Sequence, residues 1–167
     1  DFMNWEIINS ESRKLTNNLR KLKLTISTAE SCTGGMIASA IVHNSGSSEI
    51  FNKGFITYSN KSKVKELMVK QLILDKYGAV SKECSLAMVN GLFRRTDAEI
   101  GISITGIAGP TGGTIDKPAG LVWISYGNKT KINPIKFIFE GDRLKVRLNT
   151  TYNALKCTNE FLKISYL

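Results

Sequence analysis

The chain has 167 residues, 42% of them apolar, and a formal net charge of +9. This length and composition exclude an intrinsically disordered chain and predict a single globular domain over residues 1–167 with its own hydrophobic core. Three cysteines without a CxxC pair and one histidine argue against a zinc site and a disulfide framework. The sequence has no signal peptide and no long apolar run, so we expect a cytoplasmic protein without a membrane partner.

The positive charge has two interpretations. Lysines are spread along the whole chain, and the densest run, from Lys61 to Lys76, is interleaved with apolar residues. This pattern favours a solvated basic surface over a nucleic-acid interface, because we find neither an aromatic RNA-binding platform nor an evident recognition helix. A cationic surface would also favour a phosphorylated substrate.

Helices and strands alternate through the first two thirds of the chain. Apolar residues at three- and four-residue steps indicate helices, and short apolar or alternating runs indicate strands. Ser10 and Ser12 are the candidate N-caps of the first helix. The predicted elements are a helix over 9–22, a strand over 24–28, a helix over 34–43, a strand over 51–59, helices over 61–68, 72–77 and 81–93, and a strand over 99–105.

The last third predicts a hairpin followed by a long helix. Gly127-Asn128 is a turn signal between strands over 120–126 and 131–139. Asp142 is the predicted N-cap of the final helix, which carries one apolar stripe from Leu144 to Leu162. The order of elements predicts an α/β fold, a three-layer α/β/α sandwich on a mixed, mostly parallel sheet with a late antiparallel hairpin.

Two stretches of small and hydroxylated residues, 28–35 and 105–114, follow predicted strands. Ligands of α/β proteins bind at the carboxyl ends of strands, so the two stretches predict a polar site for an anionic small molecule. The second stretch has no closing Gly-Lys-Ser/Thr and no following helix, which excludes a Walker A loop and a dinucleotide fingerprint. It either cradles a phosphate with backbone amides or simply connects two strands.

Ser31 is the candidate nucleophile of the first stretch. Backbone amides of Thr33, Gly34 and Gly35, at the start of the next helix, would stabilise an oxyanion formed there. Cys32 is the neighbouring competitor for the role of nucleophile. The alternative is that Ser31 or Thr33 only caps the helix.

A nucleophilic serine needs a base. His43 lies at the far end of the helix that follows Ser31, which excludes a Ser-His-Asp triad unless another subunit supplies its histidine. The remaining candidates are Lys61 and Lys63, which follow Tyr58 at the end of the next strand. A partly desolvated lysine there could be neutral enough to accept a proton, although a lysine in this position is more commonly solvated.

Arg143 and Arg147 lie one turn apart on one face of the last helix. They could grip a phosphate together. A surface pairing with Asp142 or Glu140 explains them equally well.

Five motifs in one order resemble the CinA C-terminal domain, which also occurs as the stand-alone nicotinamide-nucleotide amidase. The resemblance extends from about Leu15 to Leu162. The motifs are Thr28–Gly35, Tyr58-Ser59-Asn60 with Lys63, Tyr77–Ser81, Thr105–Pro110 with Gly112-Gly113, and Gly141-Asp142-Arg143 with Arg147.

The resemblance implies hydrolysis of the carboxamide of nicotinamide mononucleotide to nicotinate mononucleotide and ammonia, in pyridine-nucleotide salvage. It implies Ser31 as nucleophile, Lys63 as general base and Tyr58 as the residue that orients them, with no metal or cofactor. Lys61 falls in a variable position of the motif and is the weaker candidate base. It also implies the α/β/α fold and a homo-oligomer, for which we favour a dimer. The expected substrate-binding residues are Thr33, Gly34, Gly35, Thr105, Gly106, Gly109, Gly112, Gly113, Arg143 and Arg147, the two arginines from the charge argument alone.

One departure and one rival interpretation remain. Larger CinA proteins have an additional N-terminal domain linked to a metal-dependent pyrophosphatase activity, and no part of this sequence corresponds to it. The rival function is a non-catalytic basic binding or scaffold module, connected with competence or nucleic acid, whose affinity for polyanions would fall steeply with salt.

Overall fold

A five-stranded sheet forms the centre of the molecule, as a computed structural model of residues 2–167 shows. The strand order is β2-β1-β3-β4-β5, with parallel pairing of β1 to β2 and β3, and antiparallel pairing of β4 to β3 and β5. Every strand except β4 therefore runs in the same direction, which confirms the mixed, mostly parallel sheet. The strands are β1 (Ile26–Glu30), β2 (Phe51–Ile56), β3 (Ile100–Gly106), β4 (Leu121–Gly127) and β5 (Ile132–Ile138).

Helices cover both faces of the sheet and bury one hydrophobic core on each, which confirms the three-layer sandwich. The first, second and last helices pack on one face, and the middle three pack on the other. No helix within residues 2–167 has the length and apolar character needed to cross a bilayer. The helices are α1 (Trp5–Leu22), α2 (Met36–Val42), α3 (Asn60–Leu67), α4 (Gln71–Tyr77), α5 (Lys82–Arg95) and α6 (Arg143–Tyr166), with a 3₁₀ turn at Ser47–Glu49.

The N-cap predictions hold for two helices and fail for the first. Ser81 caps α5 and Asp142 caps α6, each through a side-chain oxygen that accepts a backbone N–H. The first helix begins four residues earlier than predicted, because the side chain of Asn4 accepts from the amide of Ile7. Ser12 is instead buried inside α1, where its hydroxyl donates to the carbonyl of Ala40 and joins α1 to α2.

The predicted hairpin is present, and its loop over 128–131 lies one residue later than the predicted connection over 127–130. Gly127 pairs with Ile132, which leaves four residues in the loop. The side chain of Asn128 accepts from the amides of Thr130 and Lys131, and this Asx geometry closes the turn. Gly127-Asn128 therefore predicts the turn, but not the Asn128 side-chain hydrogen bonds that close it.

Two strand ends differ from the prediction in a way that shapes the site. Strand β1 continues to Glu30, and β2 ends at Ile56, three residues before the predicted end. In the sheet, Glu30 pairs with both Ile56 and Ile104, so the polar segments that follow all three strands leave the sheet at one edge. The amide of Ser31 donates to the carbonyl of Ile104 (3.1 Å), which fixes the candidate nucleophile directly above β3.

Candidate active site

The carboxyl ends of β1 and β3 open into a cavity of about 320 Å³, within the range of small-ligand sites. All five of the motifs named above contribute to its walls: the segments that follow β1, β2 and β3, the segment before α5, and the start of α6. Most of the predicted site residues line it, namely Ser31, Tyr58, Lys63, Thr105, Gly106, Gly109, Gly112 and Arg143. Other lining residues are Cys32, Asn60, Ala79, Val80, Ile107, Ala108 and Thr111.

A serine and a lysine meet in this cavity. Lys63 Nζ lies 3.0 Å from Ser31 Oγ, and both residues are buried, with 1% and 6% of their surface exposed. Lys63 Nζ also donates to the backbone carbonyls of Thr57 (2.8 Å) and Tyr58 (3.1 Å). A neutral amine has two N–H donors and one lone pair. If the carbonyls take both donors, the lone pair is directed at the serine hydroxyl.

Helix α3 decides which of the two candidate lysines reaches the serine. Ser59 caps the helix by accepting from the amide of Ser62, and the helix starts one residue later at Asn60. Lys63 then lies on the inward face in the first turn, whereas Lys61 is exposed and outside the cavity wall. The structure therefore brings Lys63, and not Lys61, to Ser31.

The surroundings of Lys63 favour its neutral form. Burial lowers the pKa of its ammonium group from the ordinary value of 10.5. Within residues 2–167 no carboxylate lies within 4.0 Å of its Nζ, so no ion pair opposes this effect. Such a lysine is suited to accept a proton from a hydroxyl at 3.0 Å.

Cys32 competes poorly as a nucleophile. Its side chain is buried, and burial raises the pKa of its thiol to about 12. The thiolate is the reactive form of cysteine, and a raised pKa keeps this thiol protonated at neutral pH. His43 lies at the exposed C-terminal end of α2 and does not line the cavity.

Glu30 has a structural role that the sequence analysis missed. Its carboxylate is 1% exposed and accepts from the hydroxyl of Thr33 (2.6 Å) and from the amides of Ile37 (3.0 Å) and Ala38 (3.1 Å). Burial raises the pKa of this carboxyl, and these hydrogen bonds work against the rise. Glu30, at the end of β1, thus accepts the backbone amides that the first turn of α2 leaves without a partner, and it holds this helix next to the turn that carries Ser31.

The oxyanion donors predicted from the sequence are partly occupied. The amide of Gly34 donates to the carbonyl of Ser31 (3.0 Å), and the amide of Gly35 faces the buried Glu30 carboxylate. Both glycines have positive φ, 57° and 100°, so α2 starts at Met36 and not at Gly34. The amide of Thr33 has no hydrogen-bond acceptor among residues 2–167, and the amide of Cys32 has none there except its own thiol sulfur. They are the available donors beside Ser31.

Four further predicted residues lie outside the cavity lining. The side chain of Thr33 is directed to Glu30, and Gly34 and Gly35 form the left-handed turn behind it. Gly113 packs where a Cβ would meet the backbone of Ala119 at 2.5 Å, so this glycine serves close packing of the loop.

The two arginines separate in space, although both extend from the first turns of α6. The Arg143 guanidinium lies on the cavity wall and donates to the carbonyl of Gly109 and to the hydroxyl of Tyr58, each at 3.0 Å. Arg147 donates to the carbonyls of Cys32 (3.0 Å) and Thr33 (3.2 Å) and is not part of the lining. Neither has a carboxylate within 4.0 Å among residues 2–167, so the surface pairing with Asp142 or Glu140 is absent.

Tyr58 and Thr105, two polar residues of the wall, make hydrogen bonds that connect the segments around Ser31 and Lys63. Tyr58 touches Lys63 through its backbone carbonyl, while its phenol reaches Arg143. The hydroxyl of Thr105 donates to the carbonyl of Ala79 (2.8 Å) and ties the end of β3 to the segment before α5. This bond is one of the contacts that hold Ala79 and Val80 at the cavity wall.

The comparisons with known proteins identify the family. The sequence profile described as "CinA C-terminal domain" matches residues 9–162. The chain belongs to the CinA C-terminal domain family. A competence-damage inducible protein of Clostridium perfringens is 51% identical over 135 residues, which is 80% of this chain and 32% of the relative. A CinA-like protein of Kosmotoga olearia is 50% identical over 141 residues, 84% of this chain and 34% of that protein. The chain thus spans about a third of the length of the curated relatives it matches.

Solved structures of the CinA family share the fold over nearly their whole length. The competence/damage inducible protein CihA of Agrobacterium tumefaciens has a TM-score of 0.91 and 36% identity, covering 93% of this chain and 95% of its own. The competence damage-inducible protein A of Klebsiella pneumoniae has a TM-score of 0.92 and 29% identity, covering 96% and 99%. The α/β architecture is therefore that of CinA structures.

We expect Glu30→Gln to destabilise the protein and loosen the start of α2. A glutamine keeps the shape, but its amide NH₂ would face backbone N–H donors, which leaves buried donors unsatisfied. The expected loss in free energy of unfolding is about 1–3 kcal/mol, measured by urea denaturation. Hydrogen exchange at Ile37 and Ala38 should accelerate in the same variant. Glu66→Gln, at an exposed position of α3, is the control. Equal stability and exchange in the two variants would contradict the capping role of Glu30.

Proposed function

We propose that the chain is an amidohydrolase that converts nicotinamide mononucleotide into nicotinate mononucleotide and ammonia with a serine–lysine dyad. The observation that carries the proposal is the 3.0 Å approach of Lys63 Nζ to Ser31 Oγ inside a cavity. A buried serine beside a lysine of lowered pKa is an arrangement suited to acyl transfer. The family resemblance supplies the substrate.

In the acylation half-reaction, neutral Lys63 accepts the Ser31 proton as Oγ forms a bond to the carboxamide carbon. The carbonyl π pair moves to oxygen and gives a tetrahedral oxyanion. The amides of Thr33 and Cys32 are the donors we assign to that oxyanion, in place of the Gly34 and Gly35 amides. Collapse breaks the carbon–nitrogen bond, and the Lys63 ammonium donates its proton to the departing amide nitrogen, which leaves as ammonia.

In the deacylation half-reaction, Lys63 removes a proton from water as the water oxygen attacks the ester on Ser31. The second tetrahedral intermediate expels Ser31 Oγ, which takes the proton back from Lys63. The net change is amide plus water to carboxylic acid plus ammonia. The dyad returns to its starting state without an external proton donor.

The charge of the cavity supports an anionic substrate. Lys63 and Arg143 are the basic side chains among the described residues that line it, no acidic side chain lines it, and neither basic group has a carboxylate within 4.0 Å. With Lys63 neutral in the resting dyad, Arg143 is the group we assign to the substrate phosphate. Its bonds to Gly109 and Tyr58 hold the guanidinium in place.

Removing either member of the dyad should abolish ammonia release from nicotinamide mononucleotide. We expect Ser31→Ala and Lys63→Ala each to lower kcat by at least about 10³-fold, because nucleophile and base act as a unit. Lys63→Arg should fail equally, since arginine retains the charge but does not give up its proton. Ammonia release is measured with a coupled assay.

Lys61→Ala is the matched control for the base, because this lysine is two residues away on α3 and exposed. It should retain the activity of the intact chain. Turnover that survives Ser31→Ala would sink the nucleophile assignment. If the intact chain releases no ammonia, the basic binding or scaffold function takes its place, and polyanion affinity should then fall steeply with salt.

The rate should depend on a group that must be deprotonated to act. Lys63 is active only when deprotonated, so kcat/KM should fall about tenfold per pH unit below the pKa of that group. Burial lowers this pKa, so the half-maximal rate should lie below pH 10.5, the ordinary lysine value. A pH–rate profile, with circular dichroism to show that the fold persists, checks this. A rate that stays constant or rises towards acid pH would contradict a lysine base.

A further inference from the structure

Arg147 grips the peptide that follows the nucleophile. Its Nε donates to the carbonyl of Cys32 at 3.0 Å, and its Nη2 donates to the carbonyl of Thr33 at 3.2 Å. Two consecutive backbone carbonyls thus accept from one guanidinium, which spans them as a fork. The side chain is half-buried and extends from α6 to the turn behind Ser31.

This grip fixes the direction of one amide. In a trans peptide the C=O and the N–H point in opposite directions, so drawing the Cys32 carbonyl to Arg147 turns the Thr33 N–H away from the guanidinium. That N–H has no acceptor among residues 2–167. The next peptide is engaged differently, since its Gly34 N–H donates back to the carbonyl of Ser31. The Thr33 amide is therefore both oriented and unoccupied.

The charge on Arg147 makes the Thr33 N–H a stronger hydrogen-bond donor, because the guanidinium binds the carbonyl of the same peptide. No carboxylate lies within 4.0 Å of its guanidinium among residues 2–167. A charge-assisted bond to a carbonyl is stronger than a neutral one. It also polarises the peptide, which makes the N–H on the other side a better donor.

Arg143 has a different place, although it is one turn away on the same helix. It lies on the cavity wall and donates to Tyr58 and Gly109, whereas Arg147 is outside the wall and its guanidinium donates to the carbonyls of Cys32 and Thr33. The two arginines therefore share no hydrogen-bond partner, and each can be substituted while the partners of the other remain in place.

We propose that Arg147 is a positioning residue that aligns the Cys32–Thr33 peptide, so that its N–H stabilises the oxyanion formed when Ser31 is acylated. The proposal rests on the amidase function proposed above. It replaces the expectation that Arg143 and Arg147 hold the phosphate together.

The test compares kcat and KM for nicotinamide mononucleotide in Arg147→Gln, Arg147→Lys and Arg143→Gln. Arg147→Gln should lower kcat by about 10²-fold, the usual cost of losing one oxyanion donor, with KM changed less than about twofold because uniform binding is untouched. Arg147→Lys should lie between this variant and the intact chain, since a single ammonium does not match the fork. Arg143→Gln should chiefly raise KM.

Arg94→Gln, at an exposed position of α5, controls for loss of a positive charge, and thermal unfolding shows that each variant is folded. A raised KM with unchanged kcat in Arg147→Gln would make the residue a substrate ligand and overturn the proposal. Unchanged kcat and KM with a lowered unfolding temperature would make it structural only. Should Arg147→Gln unfold, the Arg147→Lys comparison decides between the same outcomes.

A fluorophosphonate probe separates this proposal from the substrate assignment. Phosphonylation of Ser31 needs the activated hydroxyl and the oxyanion donors but no nucleotide. If the intact chain releases no ammonia yet is labelled at Ser31, slower labelling of Arg147→Gln than of Arg94→Gln supports the positioning role while the nucleotide substrate fails. Equal labelling of the two variants overturns the positioning role. An intact chain that is neither active nor labelled overturns both proposals.

Discussion

A lysine amine buried without a carboxylate is the constraint on which the site depends. Water and an ion pair are the usual ways to stabilise an ammonium group, and Lys63 has neither a carboxylate partner nor appreciable exposure. Two backbone carbonyls and the Ser31 hydroxyl surround it instead. Strand β2 ends at Ile56, and the chain turns there into α3, which begins at Asn60. The carbonyls of Thr57 and Tyr58 in this connection therefore face Lys63 in the first turn of the helix.

The turn that carries Ser31 is held from below and from behind. Glu30 accepts amides from the first turn of α2, and Arg147 donates to the carbonyls of the turn itself. Neither the Glu30 carboxylate nor the Arg147 guanidinium lines the cavity. They bind backbone amides and carbonyls on the side of this turn that faces away from it. The Thr33 amide, two residues after Ser31, is left without an acceptor among residues 2–167, where the proposed acyl transfer would develop negative charge.

The sequence predicts the architecture because helical and strand periodicities are local properties. It also predicts that residues 28–35 and 105–114 share one edge, because parallel strands end together. The choice between Lys61 and Lys63 depends on helix phase. Two residues are about 200° apart around a helix, and the phase is set by where β2 ends, which the prediction placed three residues too late.

Other parts of the site depend on tertiary contacts that no spacing reveals. The sequence does not show that Glu30 binds backbone amides. Two glycines with positive φ, Gly34 and Gly35, place the amides of Ile37 and Ala38 within hydrogen-bond distance of its carboxylate. Arg143 and Arg147 share a helix face, as predicted, but the turn of about 6 Å between them places only the first at the cavity. The Gly34 and Gly35 amides, predicted as oxyanion donors, are engaged within the protein. The Gly34 amide donates to the carbonyl of Ser31, and the Gly35 amide faces the Glu30 carboxylate.

The central claim is that Ser31 is acylated during turnover, and mass spectrometry after rapid acid quench tests it most directly. Mixing the protein with nicotinamide mononucleotide and digesting the quenched sample should yield a peptide that carries the nicotinate mononucleotide acyl group as an ester on Ser31. The adduct should be absent from Lys63→Ala, in which the serine has no base. Turnover without such an adduct at any quench time, or an adduct on Cys32, would contradict the account.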